Sequence, residues 1–92
     1  MNYLNERIGR LYYQNKSYEL TRNETKILSE LLDNKLKTYE KLYEVLYEVP
    51  CTTLNTRKPI IDTISRIRRK TGIKIICKTN FGVRLEDNIC LY

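Results

Sequence analysis

An α+β fold is predicted for this chain: short antiparallel strands, then three helices, then a closing β-hairpin. Three observations predict it. Thr21 and Thr38 stand at helix-start positions, each followed by apolar residues at helical spacing. A third apolar run, Ile60, Ile61, Ile64 and Ile67, has Pro59 in its first turn and ends before Gly72. On both sides of this helical block, β-prone stretches are interrupted by polar turn clusters.

In chain order, Ile8–Tyr13 is β-prone, Gln14–Ser17 is a polar turn, and Tyr18–Leu20 alternates apolar and polar, which predicts a small antiparallel sheet over 8–20. Thr21-Arg22-Asn23-Glu24 matches a capping box. The Thr21 hydroxyl can accept from the Glu24 N–H while the Glu24 side chain reaches back to Thr21. Ile27, Leu28, Leu31 and Leu32 then form one apolar stripe, giving a first helix over 22–33. The second helix, 38–48, takes Thr38 as its cap and Glu40 in its first turn, where the helix dipole favours an acid. Leu42, Val45, Leu46 and Val49 make its expected buried face, and Pro50 its stop. Tyr39, Tyr43 and Tyr47 recur every four residues. That spacing suits a stacking platform for single strands or simple packing beside the core stripe, and we adopt the second.

The third helix spans 57–71. Ile60, Ile61, Ile64, Ile67 and the stem of Arg68 make its predicted buried stripe. Lys58, Asp62, Ser65, Arg66 and Arg69 lie opposite, with Thr63 and Lys70 on the borders. The tail returns to strand at 74–86, with a turn at Thr79-Asn80-Phe81-Gly82.

Composition narrows the function classes. At 92 residues with 41% hydrophobic content, the expectation is one domain over 1–92. No apolar run approaches the roughly 18 residues that span a bilayer, and Met1–Arg7 has no apolar core or cleavage signal, so a cytoplasmic protein without membrane partners is expected. Cys51, Cys77 and Cys90 are odd in number and lack metal-like spacing, and histidine is absent. Neither a zinc site nor a disulfide framework is predicted, and the cysteines read as reduced and structural. No carboxylate pair, nucleophile–base pair or phosphate-cradling glycine loop points to an enzyme or to a cofactor.

The net charge of +6 is unevenly spread. Between Arg57 and Lys78, eight cations face a lone Asp62, a local charge of +7 that leaves the remainder of the chain at −1. A near-neutral body with one concentrated basic segment is the electrostatic footprint of a phosphate-binding protein.

The element order and four motifs resemble the effector domain of the OmpR/PhoB family of bacterial response regulators. Leu20-Thr21-Arg22-Asn23-Glu24 is similar to the family's opening of its first helix. Thr38 to Tyr47 is similar to its second-helix pattern, Ile64-Ser65-Arg66-Ile67-Arg68-Arg69-Lys70 to its recognition-helix run, and Asn80-Phe81-Gly82-Val83-Arg84-Leu85 to the end of its wing. The resemblance covers roughly Ile8 to Glu86. There are departures. Thr25 stands where the family usually has an aromatic, Asp62 where it has an apolar residue facing the bases, Ile61 where it often has Asp, and Thr79 where the wing often carries Arg.

The resemblance implies a winged helix-turn-helix: an N-terminal sheet, three helices and a hairpin wing. It implies sequence-specific binding of double-stranded DNA for transcriptional regulation, with the third helix in the major groove. Arg66 is the expected base reader, since a guanidinium can donate two parallel bonds to guanine. Lys58, Thr63, Arg69 and Lys70 are expected on phosphates, and Arg57 and Ser65 complete the recognition-helix set. Asp62 could accept from cytosine N4. Lys78 and Thr79 would bring the wing to the flanking groove. The resemblance also implies an RNA polymerase contact through 48–56 and a homodimer on DNA. With no receiver domain preceding the fold, the chain reads as either an excised effector domain or a freestanding regulator of bacterial or phage origin. The rival reading is a protein-interaction module, such as a small phage-type inhibitor that uses the same scaffold to bind a host protein.

Overall fold

The computed structural model describes residues 2–49, 57–78 and 81–92. Strands β1 (Tyr3–Asn5), β2 (Arg10–Tyr13) and β3 (Lys16–Glu19) lead into helix α1 (Arg22–Glu30). The β2–β3 connection is only Gln14-Asn15, both at positive φ (50° and 66°), as a two-residue hairpin turn requires. Lys16 and Ser17, expected in the turn, are therefore in the strand. Ile8, expected in the first strand, is instead 61% exposed in the preceding turn. At Gly9, φ is +68° and a β-carbon would press on the Leu20 carbonyl and Thr25 hydroxyl.

The capping box forms at the start of α1. The Glu24 N–H donates to Thr21 Oγ1 (3.2 Å) and the Thr21 N–H to Glu24 Oε1 (2.9 Å). Leu31–Asp33 continue as a 3-10 turn. Asn34 then takes a left-handed conformation, and its side-chain amide donates to the Leu85 and Asp87 carbonyls (3.0 and 2.9 Å). Thr25 is buried, and its hydroxyl is satisfied by donating to the Thr21 carbonyl (2.9 Å).

Helix α2 (Tyr39–Tyr47) starts on Thr38, whose hydroxyl accepts from the Lys41 N–H (3.1 Å), and ends at Glu48 in a left-handed conformation. Leu42 and Leu46 are buried, but Val45 is only half-buried and Val49 is 50% exposed, because the helix has already ended at Tyr47. Tyr39 fills the core instead, at 3% exposure. Tyr43 packs beside the core and tilts against the exposed Tyr47 (4.6 Å between centroids). Pro50 and Cys51 lie outside the described residues.

Helix α3 (Arg57–Thr71) lays Ile60, Ile64 and Ile67 on the core, and Gly72 leaves it at φ +77°. Its last turn carries Arg68, Arg69 and Lys70, where cations complement the helix dipole. Strands β4 (Ile75–Lys78) and β5 (Gly82–Leu85) form an antiparallel hairpin. Reciprocal backbone hydrogen bonds between Lys37 and Val83 (2.8 Å each) hold the hairpin on the segment before α2.

Strand β6 (Cys90–Leu91) closes a four-stranded sheet in the order β3-β2-β1-β6, parallel to β1. Neither β1 nor β6 is predicted by the sequence pattern. With three and two residues, they are too short to show alternation, and backbone bonds such as Cys90 N–H to the Asn2 carbonyl (3.0 Å) define them. The result is α+β: the sheet, three helices and the hairpin around one core that includes Leu4, Leu11, Leu28, Leu42, Ile64 and Leu85.

Candidate nucleic-acid interface

The period of α3 divides its surface. Ile60, Ile64, Ile67 and Thr71 form the buried stripe, so Lys58, Asp62, Ser65 and Arg69, spaced by four, three and four residues, lie diametrically opposite. Lys58, Asp62 and Arg69 are exposed and Ser65 is half-buried. Lys58 and Asp62 form a solvent-exposed i,i+4 ion pair (3.5 Å), a weak contact that leaves both groups available. Arg69 meets no carboxylate among the described residues.

Two expectations for this helix, Thr63 and Ile61, need correction. Thr63 is expected on the border of the free face, but it is 2% exposed. Its hydroxyl donates to the Pro59 carbonyl one turn back (2.8 Å) and accepts from Arg66 (3.3 Å). Arg66 is expected on that face and its side chain is 56% exposed; it stands on one flank, with its Nε 3.8 Å from Glu24 Oε2. Ile61 is expected in the core stripe but is 39% exposed. It stands four residues before Ser65 and seven before Arg68, and that spacing is legible in the sequence and points away from the core.

The flank beyond Arg66 is anchored internally. Lys70 Nζ donates to Glu24 Oε1 at 2.7 Å and to the Glu19 carbonyl at 3.1 Å. Glu24 is 1% exposed. Burial pulls its carboxyl upward, but the hydrogen bonds from Lys70 and Thr21 and the charges of Lys70 and Arg66 outweigh that. The group therefore sits below the ordinary carboxylate range and stays ionised. At the N-terminal end, the Arg57 guanidinium lies 5.4 Å from the ring centroid of Tyr39, a cation–π contact.

On the wing, Lys78 is exposed at the end of β4 and its carbonyl accepts from the Phe81 N–H (3.0 Å). Thr79 lies outside the described residues. Phe81 is 68% exposed at the start of β5. Arg68, Arg69 and Lys74, together with Glu86, line a shallow recess between the C-terminal end of α3 and β4. Arg68 and Phe81 are not among the interface residues that the sequence predicts. Arg68 is ambiguous there because its stem borders the core stripe, and Phe81 reads only as part of a turn. No group of three or more potential metal ligands occurs among the described residues, and none of their helices is long and apolar enough to cross a membrane.

No protein-family model and no curated protein matches the chain. Solved structures do. The C-terminal domain of NsrR, a lantibiotic response regulator for nisin resistance, is 28% identical with a TM-score of 0.72, covering 91% of this chain and 89% of that one. The DNA-binding domain of Bacillus subtilis CssR superposes with a TM-score of 0.76 at 20% identity, over 92% of this chain and 99% of that one. The DNA-binding domain of CpxR from E. coli has a TM-score of 0.74 at 19% identity, over 95% and 88%. Two of the three are thus DNA-binding domains, and the other is the C-terminal domain of a response regulator.

Proposed function

We propose that this chain, which has the winged helix-turn-helix fold of OmpR/PhoB-type effector domains, binds double-stranded DNA sequence-specifically and regulates transcription. In this reading α3 enters the major groove and the β4–β5 wing lies on the flanking groove. The observation that carries it is the free face of α3. A single helix buries Ile60, Ile64 and Ile67 and turns Lys58, Asp62, Arg66 and Arg69 outward, with Ser65 half-buried among them. Arg68 and Lys74 add cations toward the wing.

Within this arrangement Arg69, which meets no carboxylate among the described residues, stands beside Arg66, 56% exposed and 3.8 Å from Glu24, as a candidate for base readout. Arg57, Lys58, Arg68 and Lys78 serve phosphates and set the register. Lys70, committed to Glu24, contributes to the interface chiefly by fixing the orientation of α3. Thr63, buried and bonded to Arg66 within the same helix, lies away from the proposed interface. The proposal extends to an RNA polymerase contact through 48–56, of which only Glu48 and Val49 lie among the described residues, and to pairing of two copies on DNA.

The test is selection of bound sequences from a random duplex pool, followed by affinity measurement across salt concentrations. If roughly six phosphates are neutralised, the slope of log K against log salt is about −5, and Arg69→Ala weakens binding to the selected duplex by at least about tenfold. A direct-repeat motif in the selected pool means head-to-tail pairing, and a palindrome a two-fold dimer. No duplex binding even at low salt overturns the reading and leaves the interaction-module alternative.

A further inference from the structure

Ile61 is a large aliphatic side chain with no place in the core. It is 39% exposed, whereas Ile60 and Ile64 in the same helix are 0% and 1%. Three residues back is Lys58 and four residues on is Ser65, so Ile61 borders the polar stripe and shares its outward aspect. The two flanks of that stripe differ in kind. On one, Lys70 is bonded to the buried carboxylate of Glu24 and the exposed Arg66 lies 3.8 Å from it; on the other, Ile61 offers branched hydrocarbon to whatever α3 faces.

Exposed apolar surface is stabilised only by an apolar partner. Phosphates and most base edges offer none. The major groove has one aliphatic group, the C5-methyl of thymine. Asp62, beside Ile61, keeps its exposed carboxylate 3.5 Å from Lys58, which lowers its repulsion of a polyanion without removing its capacity to accept a hydrogen bond.

Resting on the DNA-binding reading of α3, we propose that Ile61 is a specificity-determining residue that packs on the 5-methyl group of a thymine in the bound site. The open flank of the helix then reads a methyl group, while the stripe beside it reads polar edges.

The experiment uses the full chain and the duplex selected from the random pool. Each thymine is replaced in turn by deoxyuridine, which lacks only the methyl, and affinity is measured by fluorescence anisotropy. One thymine position per bound copy should stand out, its methyl removal weakening binding about fourfold, as expected for burying one carbon at about 0.8 kcal/mol. In Ile61→Ala that position becomes insensitive to the replacement, while the salt slope and the circular dichroism spectrum stay unchanged. Because Ile61 is exposed, the variant is expected to fold, and Ile61→Val should retain most of the methyl effect. The proposal is overturned if no thymine shows a methyl effect in the parent chain, or if the effect persists undiminished in Ile61→Ala. Both of those results leave duplex binding intact. Failure of the underlying reading would instead appear as no selected duplex at all, and would remove this proposal with it.

Discussion

Replacing Glu24 tests whether one buried carboxylate both caps α1 and anchors α3. Its Oε1 accepts from the Thr21 N–H at 2.9 Å and from Lys70 Nζ at 2.7 Å, and the side chain is 1% exposed. Glu24→Gln keeps an acceptor for the capping box, which tolerates Gln, and loses the charge opposite Lys70. A charge-assisted hydrogen bond contributes about 1.5–3 kcal/mol. The Lys70 side chain is 36% exposed, so water recovers part of it, and a net loss of about 1–2 kcal/mol is expected. Glu24→Ala also removes the cap, adding about 1 kcal/mol.

For a domain of this size each kcal/mol lowers Tm by about 4–8 °C, so Glu24→Gln should melt roughly 5–15 °C lower at neutral pH. The pH dependence follows from the lowered carboxyl. A group whose folded pKa is depressed contributes stability above its unfolded pKa, and that contribution is lost as pH falls through the folded value. The gap between parent and Glu24→Gln should therefore narrow as pH drops from 7 toward about 3. Chemical denaturation with an unchanged m-value at each pH is the assay. A Glu24→Gln protein as stable as the parent at neutral pH, or a gap that does not change with pH, would refute the anchoring role.

Two further substitutions probe how the tail and wing are fixed. The Tyr13 hydroxyl donates to Asp87 Oδ2 at 2.6 Å, and this bond, with burial and the Asp87 charge, pushes the phenol up to about 12. Tyr13→Phe should cost about 1–3 kcal/mol. Ultraviolet titration should show one tyrosine ionising last, near that value, and the Tyr13 contribution should be complete below the ordinary phenol range near 10 and disappear as pH rises through about 12. A Tyr13→Phe variant that leaves the last-titrating phenol in place would contradict the assignment. At Gly82, φ is +151° and a β-carbon would overlap the Lys37 carbonyl. Gly82→Ala should lower stability by about 2 kcal/mol or more, measured as a drop in Tm, and an unchanged Tm would mean the wing does not sit as tightly on Lys37 as the backbone indicates.

The parts of the fold written in local spacing are legible in the amino-acid sequence. The Thr21–Glu24 box involves residues three apart, and the Thr38 cap, the Ile60-Ile64-Ile67 stripe and the Gly72 exit are equally local. What is not legible depends on distant partners. Strands β1 and β6 exist because residues at opposite ends of the chain pair. Asn34 is held by carbonyls of Leu85 and Asp87. Val49 reads as buried only if the helix runs past Glu48, whose left-handed backbone ends it. The free face of α3 is partly legible. The rule that places Lys58, Asp62, Ser65 and Arg69 outward also places Ile61 outward, but its hydrophobicity draws it to the core stripe in a reading by residue type.

The internal pairing of Lys70 has a more general cause. A helical projection treats every cation on the polar side as equally free, whereas the field around α3 is asymmetric. Glu24 lies 46 residues before Lys70 in sequence, so no spacing rule joins them, and its capping role by itself accounts for that carboxylate in the sequence. In the fold, its two oxygens divide the work: Oε1 serves the start of α1 and Lys70, and Oε2 faces Arg66. A buried anion at the base of a basic helix draws the nearest cations inward and fixes the helix's rotation about its axis by polar contacts, in addition to the isoleucines. The cations on the far side, Lys58 and Arg69, keep their charge directed at solvent. The same internal carboxylate that bonds Lys70 and lies beside Arg66 thus helps to set which cations, and which hydrocarbon, the helix can present.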